Sequence, residues 1–82
     1  MIRLTLLTRP GCHLCDDMKA LIHRTDERHR MRLEEVDISS NAELVRRFGT
    51  EIPVLMRDGD VVARTRATED ELRALLASTE TE

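Results

Sequence analysis

Tryptophan and tyrosine are absent from this chain, and Phe48 is the one aromatic residue among 82. The core must therefore be aliphatic, and no set of rings is available to stack on nucleic-acid bases. An excess of positive charge is missing as well. Acidic residues number 16 against 13 lysines and arginines, a net charge of −3, whereas a phosphate-binding surface calls for a basic balance. Long apolar runs are lacking. Near the N-terminus the longest, Leu4 to Leu7, is broken by Thr5 and followed by Arg9 and Pro10, too short for a signal peptide or a membrane span. Neither nucleic acid nor membrane is expected as a partner, and the expected location is the cytoplasm, where thiols are kept reduced.

What is present fits one small domain over residues 1–82 with no room for a second core. A hydrophobic fraction of 40% is enough to fold such a unit. No repeat, linker or low-complexity tract interrupts it, and the polar residues 78–82 read as a frayed tail.

Ile2, Leu4 and Leu6 alternate with Arg3 and Thr5, the period of a strand that runs to about Thr8, and Leu7 indicates that its second face is partly covered. Pro10-Gly11 breaks the extended run. Leu14, Met18, Leu21 and Ile22 then recur at helical spacing, so a helix starts at or next to Cys12. Met31, Leu33, Val36 and Ile38 form a second strand whose alternation slips between Leu33 and Val36, which reads as a late start or a bulge. Ser40-Asn41-Ala42-Glu43 fits a capping box with Ser40 as the cap, and Gly49 sits where a helix-terminating glycine belongs. Apolar runs at 54–56 and 61–63 flank Arg57-Asp58-Gly59-Asp60, a hairpin signal. Thr68-Glu69-Asp70-Glu71 is a second capping box, followed by Leu72, Leu75 and Leu76 on one face. The order is β-α-β-α-β-β-α. The first two strands, joined through a helix, should be parallel and the hairpin antiparallel, giving a four-stranded mixed sheet with helices packed on it.

The chemistry is concentrated in "RPGCHLCDDM", residues 9–18. At the first turn of a helix, Cys12 would face unpaired N–H groups and the positive end of the helix dipole, which favour the thiolate over a thiol of ordinary pKa about 8.5. Cys15 lies one turn on, close enough for a disulfide. Asp16 and Asp17 oppose thiolate formation while Arg9 and protonated His13 favour it, so a modest lowering of the Cys12 pKa is expected. His13 is equally well read as a solvated polar residue, and His23 and His29 as surface residues. Two rival readings stand beside the redox pair. One is a metal site, for which only His13, His23, His29 and carboxylates could complete the ligand set. The other is a pair of inert buried thiols.

Over nearly its whole length the sequence resembles the thioredoxin superfamily, and most closely its short glutaredoxin-like members. The likeness rests on "LLTRPGCHLCDDM" after the first strand, on "FGTEIPVLMRDG" in the second half, and on their separation. It implies an α/β thioredoxin-like fold of glutaredoxin type in three layers, with the Cys-x-x-Cys opening the first helix and Pro53 as a cis proline lying against it. A third strand antiparallel to the first would begin beside the point where the first ends, which agrees with that placement. The implied activity is thiol-disulfide oxidoreduction by a Cys12/Cys15 cycle without a cofactor. Arg9, His13 and the Ile52-Pro53 backbone would shape the substrate site of a monomer that acts on protein or small-thiol disulfides and is recharged by a reductase or a low-molecular-weight thiol. A metal-binding module and a non-catalytic redox-sensing adaptor are the alternatives. Arg9 stands where glutaredoxins often carry a lysine for the glutathione carboxylate. The common Cys-Pro-Tyr-Cys is Cys-His-Leu-Cys here, and "RTRATEDEL" has no Gly-Gly before its acidic pair. Glutathione is therefore expected to be a poor partner. Neither the Trp-Cys-Gly-Pro-Cys of thioredoxins nor the Cys-Gly-Phe-Ser of iron-sulfur glutaredoxins occurs.

Overall fold

Ile2, Leu4 and Leu6 bury on one side of strand β1 (Ile2–Thr8) and Leu7 on the other, a two-sided demand that suits an inner strand of a sheet covered on both faces. The computed structural model, which describes residues 2–26 and 31–78, places it there. Strand β2 (Met31–Asp37) pairs parallel to β1, and β3 (Val54–Arg57) pairs antiparallel to it. Strand β4 (Asp60–Arg64) completes the order β2-β1-β3-β4. Helices α1 (His13–Thr25) and α3 (Glu69–Ser78) supply Met18, Ile22 and Leu72 to a core with Leu4, Leu6 and Leu55 on one face. The short α2 (Ala42–Phe48) covers the other with Phe48 against Leu7, Ile38 and Val54. The result is the expected three layers. Leu4, Leu6, Ile22 and Leu55 are fully buried, each worth about 1.5–3 kcal/mol in apolar surface removed from water.

Two local readings are corrected. The β1–β2 register runs without a break from Ile2 opposite Met31 to Thr8 opposite Asp37, so β2 starts on time and carries no bulge. The alternation slips because β2 changes its apolar face. Leu33 packs with the α1/α3 core, Glu35 reaches Lys19 of α1 at 2.8 Å, and Val36 packs with the α2 core on the opposite side. The strand ends at Asp37, and Ile38–Ser40 form a 3-10 turn capped by Asp37. Because Ser40 is used in that turn, the cap of α2 passes to Asn41, whose Oδ1 accepts the Leu44 N–H at 3.1 Å, while Glu43 pairs with Arg46.

The other turn signals hold, one of them for a different reason. Asp58 and Gly59 take φ of 51° and 85°, the pair of positive values that a two-residue hairpin turn needs. Thr68 donates its N–H to Glu71 Oε1 at 3.0 Å and accepts the Glu71 N–H at 3.1 Å, a closed capping box. Gly49 does terminate α2, its N–H donating to the Val45 carbonyl, but at a right-handed φ of −56°. Space makes it glycine there: a Cβ would lie 2.5 Å from the Val45 carbonyl oxygen. Of the tail expected over 78–82, Ser78 is the last residue of α3 instead; His29, the side chain of Leu76 and residues 79–82 lie outside the described residues.

At the far end of α1, Asp26 is 7% exposed and accepts the Met31 N–H at 3.1 Å, joining the helix to β2. Its neighbour Thr25 is 5% exposed, and its hydroxyl has no hydrogen-bond partner among the described residues. A buried hydroxyl without a partner costs more than a methyl of the same shape. Thr25→Val is expected to stabilise the fold by about 1 kcal/mol, read as a higher urea midpoint at unchanged slope; a lower midpoint would mean that the hydroxyl is satisfied in solution.

Candidate active site

The carboxyl end of β1 leads through Arg9, Pro10 and Gly11 to the cysteines. Gly11 takes a φ of 76°, which the reversal into α1 requires and which a side chain would resist. Cys12 follows as the N-cap of α1 in extended backbone conformation, and its Sγ accepts the Cys15 N–H at 3.1 Å. The two sulfurs are joined as a disulfide with Cα atoms 5.2 Å apart. Exposure divides the pair. Cys15 is buried at 3%, whereas Cys12 is half-buried at the helix entrance. A group that accepts a backbone N–H at a helix start is favoured when negatively charged, so the accessible sulfur is the one placed to carry a thiolate. Asp16 and Asp17, both exposed in the first turns of the same helix, act against it.

Antiparallel pairing of Leu7 with Val54 sets Pro53 across from Thr8, the residue from which the cysteine loop departs. Pro53 is buried, and Ile52-Pro53 is cis, as the resemblance implied. The two residues differ in what they can offer. Proline has no N–H, and the Pro53 carbonyl already accepts the Thr65 N–H at 2.8 Å. Ile52 keeps its N–H and its C=O without hydrogen bonds to the described residues. The expectation for the Ile52-Pro53 backbone thus narrows to Ile52.

Arg9 is exposed and acts on Asp37, the residue paired with Thr8 at the end of β2. The Asp37 carboxyl is held below the ordinary carboxylate range, first by the Ser39 hydroxyl at 2.6 Å, then by the Ser39 N–H at 2.9 Å, with the Arg9 charge adding to both. His13 is exposed at the first position of α1, and His23 is exposed further along it. Among the described residues no three His, Cys, Asp or Glu side chains converge on a point that could hold a metal ion. No helix among them is long and apolar enough to cross a membrane.

One part of this region was missed from the sequence. Between β4 and α3, Thr65 adopts a φ of 61°, and the Arg66 N–H folds back onto the Arg64 carbonyl. Thr65 also donates its N–H to the Glu51 carbonyl at 3.1 Å and its hydroxyl to the same oxygen at 3.3 Å. Arg64 Nη1 meets Glu51 Oε1 at 3.0 Å. The available signal was the lack of glycine in "RTRATEDEL": the turn after β4, with its positive φ, is made here by threonine. Thr65, Arg66 and Ala67 face Leu14, Asp17, Met18 and Leu21 of α1 across a cleft of about 260 Å³ that reaches Leu14, one of the two residues between the cysteines.

With this geometry the chain matches the family model described as a glutaredoxin-like domain over residues 3–77. The chain belongs to that glutaredoxin-like family. It is 34% identical over 77 residues to the glutaredoxin-like protein YDR286C homolog of Dictyostelium discoideum, covering 87% of this chain and 71% of that one. Among solved structures, target protein XcR50 of X. campestris superposes with a TM-score of 0.78 at 30% identity, over 92% of this chain and 96% of that one. Protein Ne2328 of Nitrosomonas europaea gives 0.79 at 26%, over 90% and 89%. A mutant thioredoxin of Halobacterium salinarum gives 0.60 at 23% identity, over 94% and 73%, a likeness of fold. This glutaredoxin-like domain therefore has a thioredoxin-like α/β fold with a Cys-x-x-Cys pair at the start of α1, an arrangement that supports a redox role.

Proposed function

We propose that the protein is a thiol-disulfide oxidoreductase working through a Cys12/Cys15 dithiol-disulfide cycle. The observation that carries this reading is the division of the pair: Cys12 is half-buried at the N-cap with the Cys15 N–H aimed at its Sγ, and Cys15 is buried one turn on. In the reduced protein the Cys12 thiolate attacks one sulfur of a substrate disulfide. A mixed disulfide forms, and the other substrate sulfur leaves and takes a proton. Cys15, losing its proton, then attacks Cys12 Sγ and releases the second substrate thiol. The substrate gains two electrons and two protons, and the protein is left with the Cys12–Cys15 disulfide. An external dithiol reductase or a low-molecular-weight thiol returns it to the dithiol, and no further cofactor enters the balance. A reducing compartment such as the cytoplasm suits this cycle.

Substrate is held by the N–H and C=O of Ile52, unengaged among the described residues, which pair with an extended segment as an added strand would. Arg9 and His13 flank the entrance and favour an acidic or neutral segment over a strongly basic one. With Cys15→Ser, the resolving step is removed and mixed disulfides on Cys12 should accumulate with substrate proteins; with Cys12→Ser they should not. Equal trapping by both variants would void the assignment.

Glutathione is a poor electron donor on this reading. The α3 start that would take one of its carboxylates has a closed capping box and exposed Glu69, Asp70 and Glu71 around it, with no glycine to admit a close approach. Loss of such a contact lowers affinity by a factor of roughly five to a hundred. Glutathione-driven reduction of a glutathione mixed disulfide should accordingly run far below that of a glutaredoxin with Cys-Pro-Tyr-Cys under the same conditions, and comparable rates would defeat the expectation.

A further inference from the structure

Thr65 is one of two non-glycine residues with a positive φ among the described residues, and Asp58, the other, is explained by its hairpin. At Thr65, φ is 61° and the hydrogen bond runs from the Arg66 N–H to the Arg64 carbonyl. A three-residue turn of this hand is rare and strained, and a β-branched side chain makes it worse. Such strain persists only where the surroundings over-determine it. Here they do so from one direction. The Thr65 N–H reaches the carbonyls of Glu51 and Pro53, its hydroxyl reaches the Glu51 carbonyl, and Arg64 pairs with the Glu51 carboxylate. All of these contacts bracket Ile52, the residue whose own backbone groups are unengaged among the described residues.

We propose that Thr65 is a positioning residue: its strained turn clamps Glu51 and Pro53 so that the Ile52 N–H and C=O stand ready to pair with an extended polypeptide whose disulfide sits over Cys12. The inference rests on the oxidoreductase reading above and narrows its substrate class to disulfides carried on extended polypeptide. Pairing through one residue needs that residue fixed beforehand, since ordering it during binding subtracts from affinity. A glycine at 65 would make the turn without strain but would also leave it free to leave the turn, and it would lack the hydroxyl. Threonine trades local ease for a fixed Ile52.

The test compares Thr65→Gly, Thr65→Ser and the parent in the reduction of insulin disulfides with dithiothreitol as the electron source. Thr65→Gly relieves strain, so it folds. It is expected to raise KM for insulin about 3- to 10-fold, the worth of one lost hydrogen bond, with kcat within about twofold and the iodoacetamide alkylation rate of reduced Cys12 unchanged. Thr65→Ser keeps the hydroxyl and should restore KM. A purely structural role would alter the melting temperature and leave KM alone. An unchanged KM in Thr65→Gly, a parallel change in the alkylation rate, or a serine variant that behaves like glycine would each overturn the proposal. The amide chemical shifts of Ile52 and Val54 give an activity-free readout, expected to move in Thr65→Gly and not in Thr65→Ser. A parent that does not turn insulin over would defeat the oxidoreductase reading, whereas unmoved amides would defeat the clamp in either case.

Discussion

The backbone N–H of Cys15 aimed at Cys12 Sγ is the interaction on which the rest of the site depends. It makes a sulfur the cap of a helix, a task usually given to the oxygen of Ser, Thr, Asp or Asn. A thiolate fills that place better than a thiol because it only accepts and because it faces the positive end of the helix. In the proposed cycle cap and nucleophile are one atom, and a change in its charge is felt by the helix start. The same turn of helix buries Cys15 and keeps it within bonding reach, so the fold divides two chemically identical side chains into a half-buried and a fully buried partner.

The sheet aims this atom. β1 is held on both faces by aliphatic side chains and on both edges by partner strands, so its carboxyl end is a fixed point from which Gly11 turns the chain into α1. β3 runs the other way, which brings Ile52 and Pro53 to that end. β2 ends there as well, and Asp37 with its Ser39 hydrogen bonds faces Arg9 across the pair. Three strand ends therefore frame one surface, although each arrives from a distant part of the chain. The electrostatics there are mixed: Arg9 and the helix start favour a negative sulfur, and Asp16 and Asp17 oppose it.

Where a local rule could be met in only one way, the sequence was legible. Asp58-Gly59 between two apolar runs admits a two-residue turn with both φ positive, and Thr68 with Glu71 can close a box in one geometry only. The Cys-x-x-Cys spacing after a strand was equally direct. Legibility failed where tertiary partners decided the outcome. Glu35 broke the apolar alternation of β2 at an exposed position where it meets Lys19 of a neighbouring helix, a pairing invisible in one dimension. Ser40 and Asn41 are both good caps, and only the 3-10 turn before them settles which serves. The setting of Ile52 and the strained turn at Thr65 depend on hydrogen bonds between segments more than ten residues apart, and no propensity encodes them.

The proposed cycle opens with negative charge on Cys12, stabilised by the start of α1. The most direct measurement is the rate of iodoacetamide alkylation of Cys12 against pH in the reduced protein, with Cys15→Ser to remove competition. The expected midpoint lies below that of an ordinary thiol, about 8.5. A midpoint at or above that value would show that burial or the charges of Asp16 and Asp17 outweigh the helix start, and it would contradict the claim.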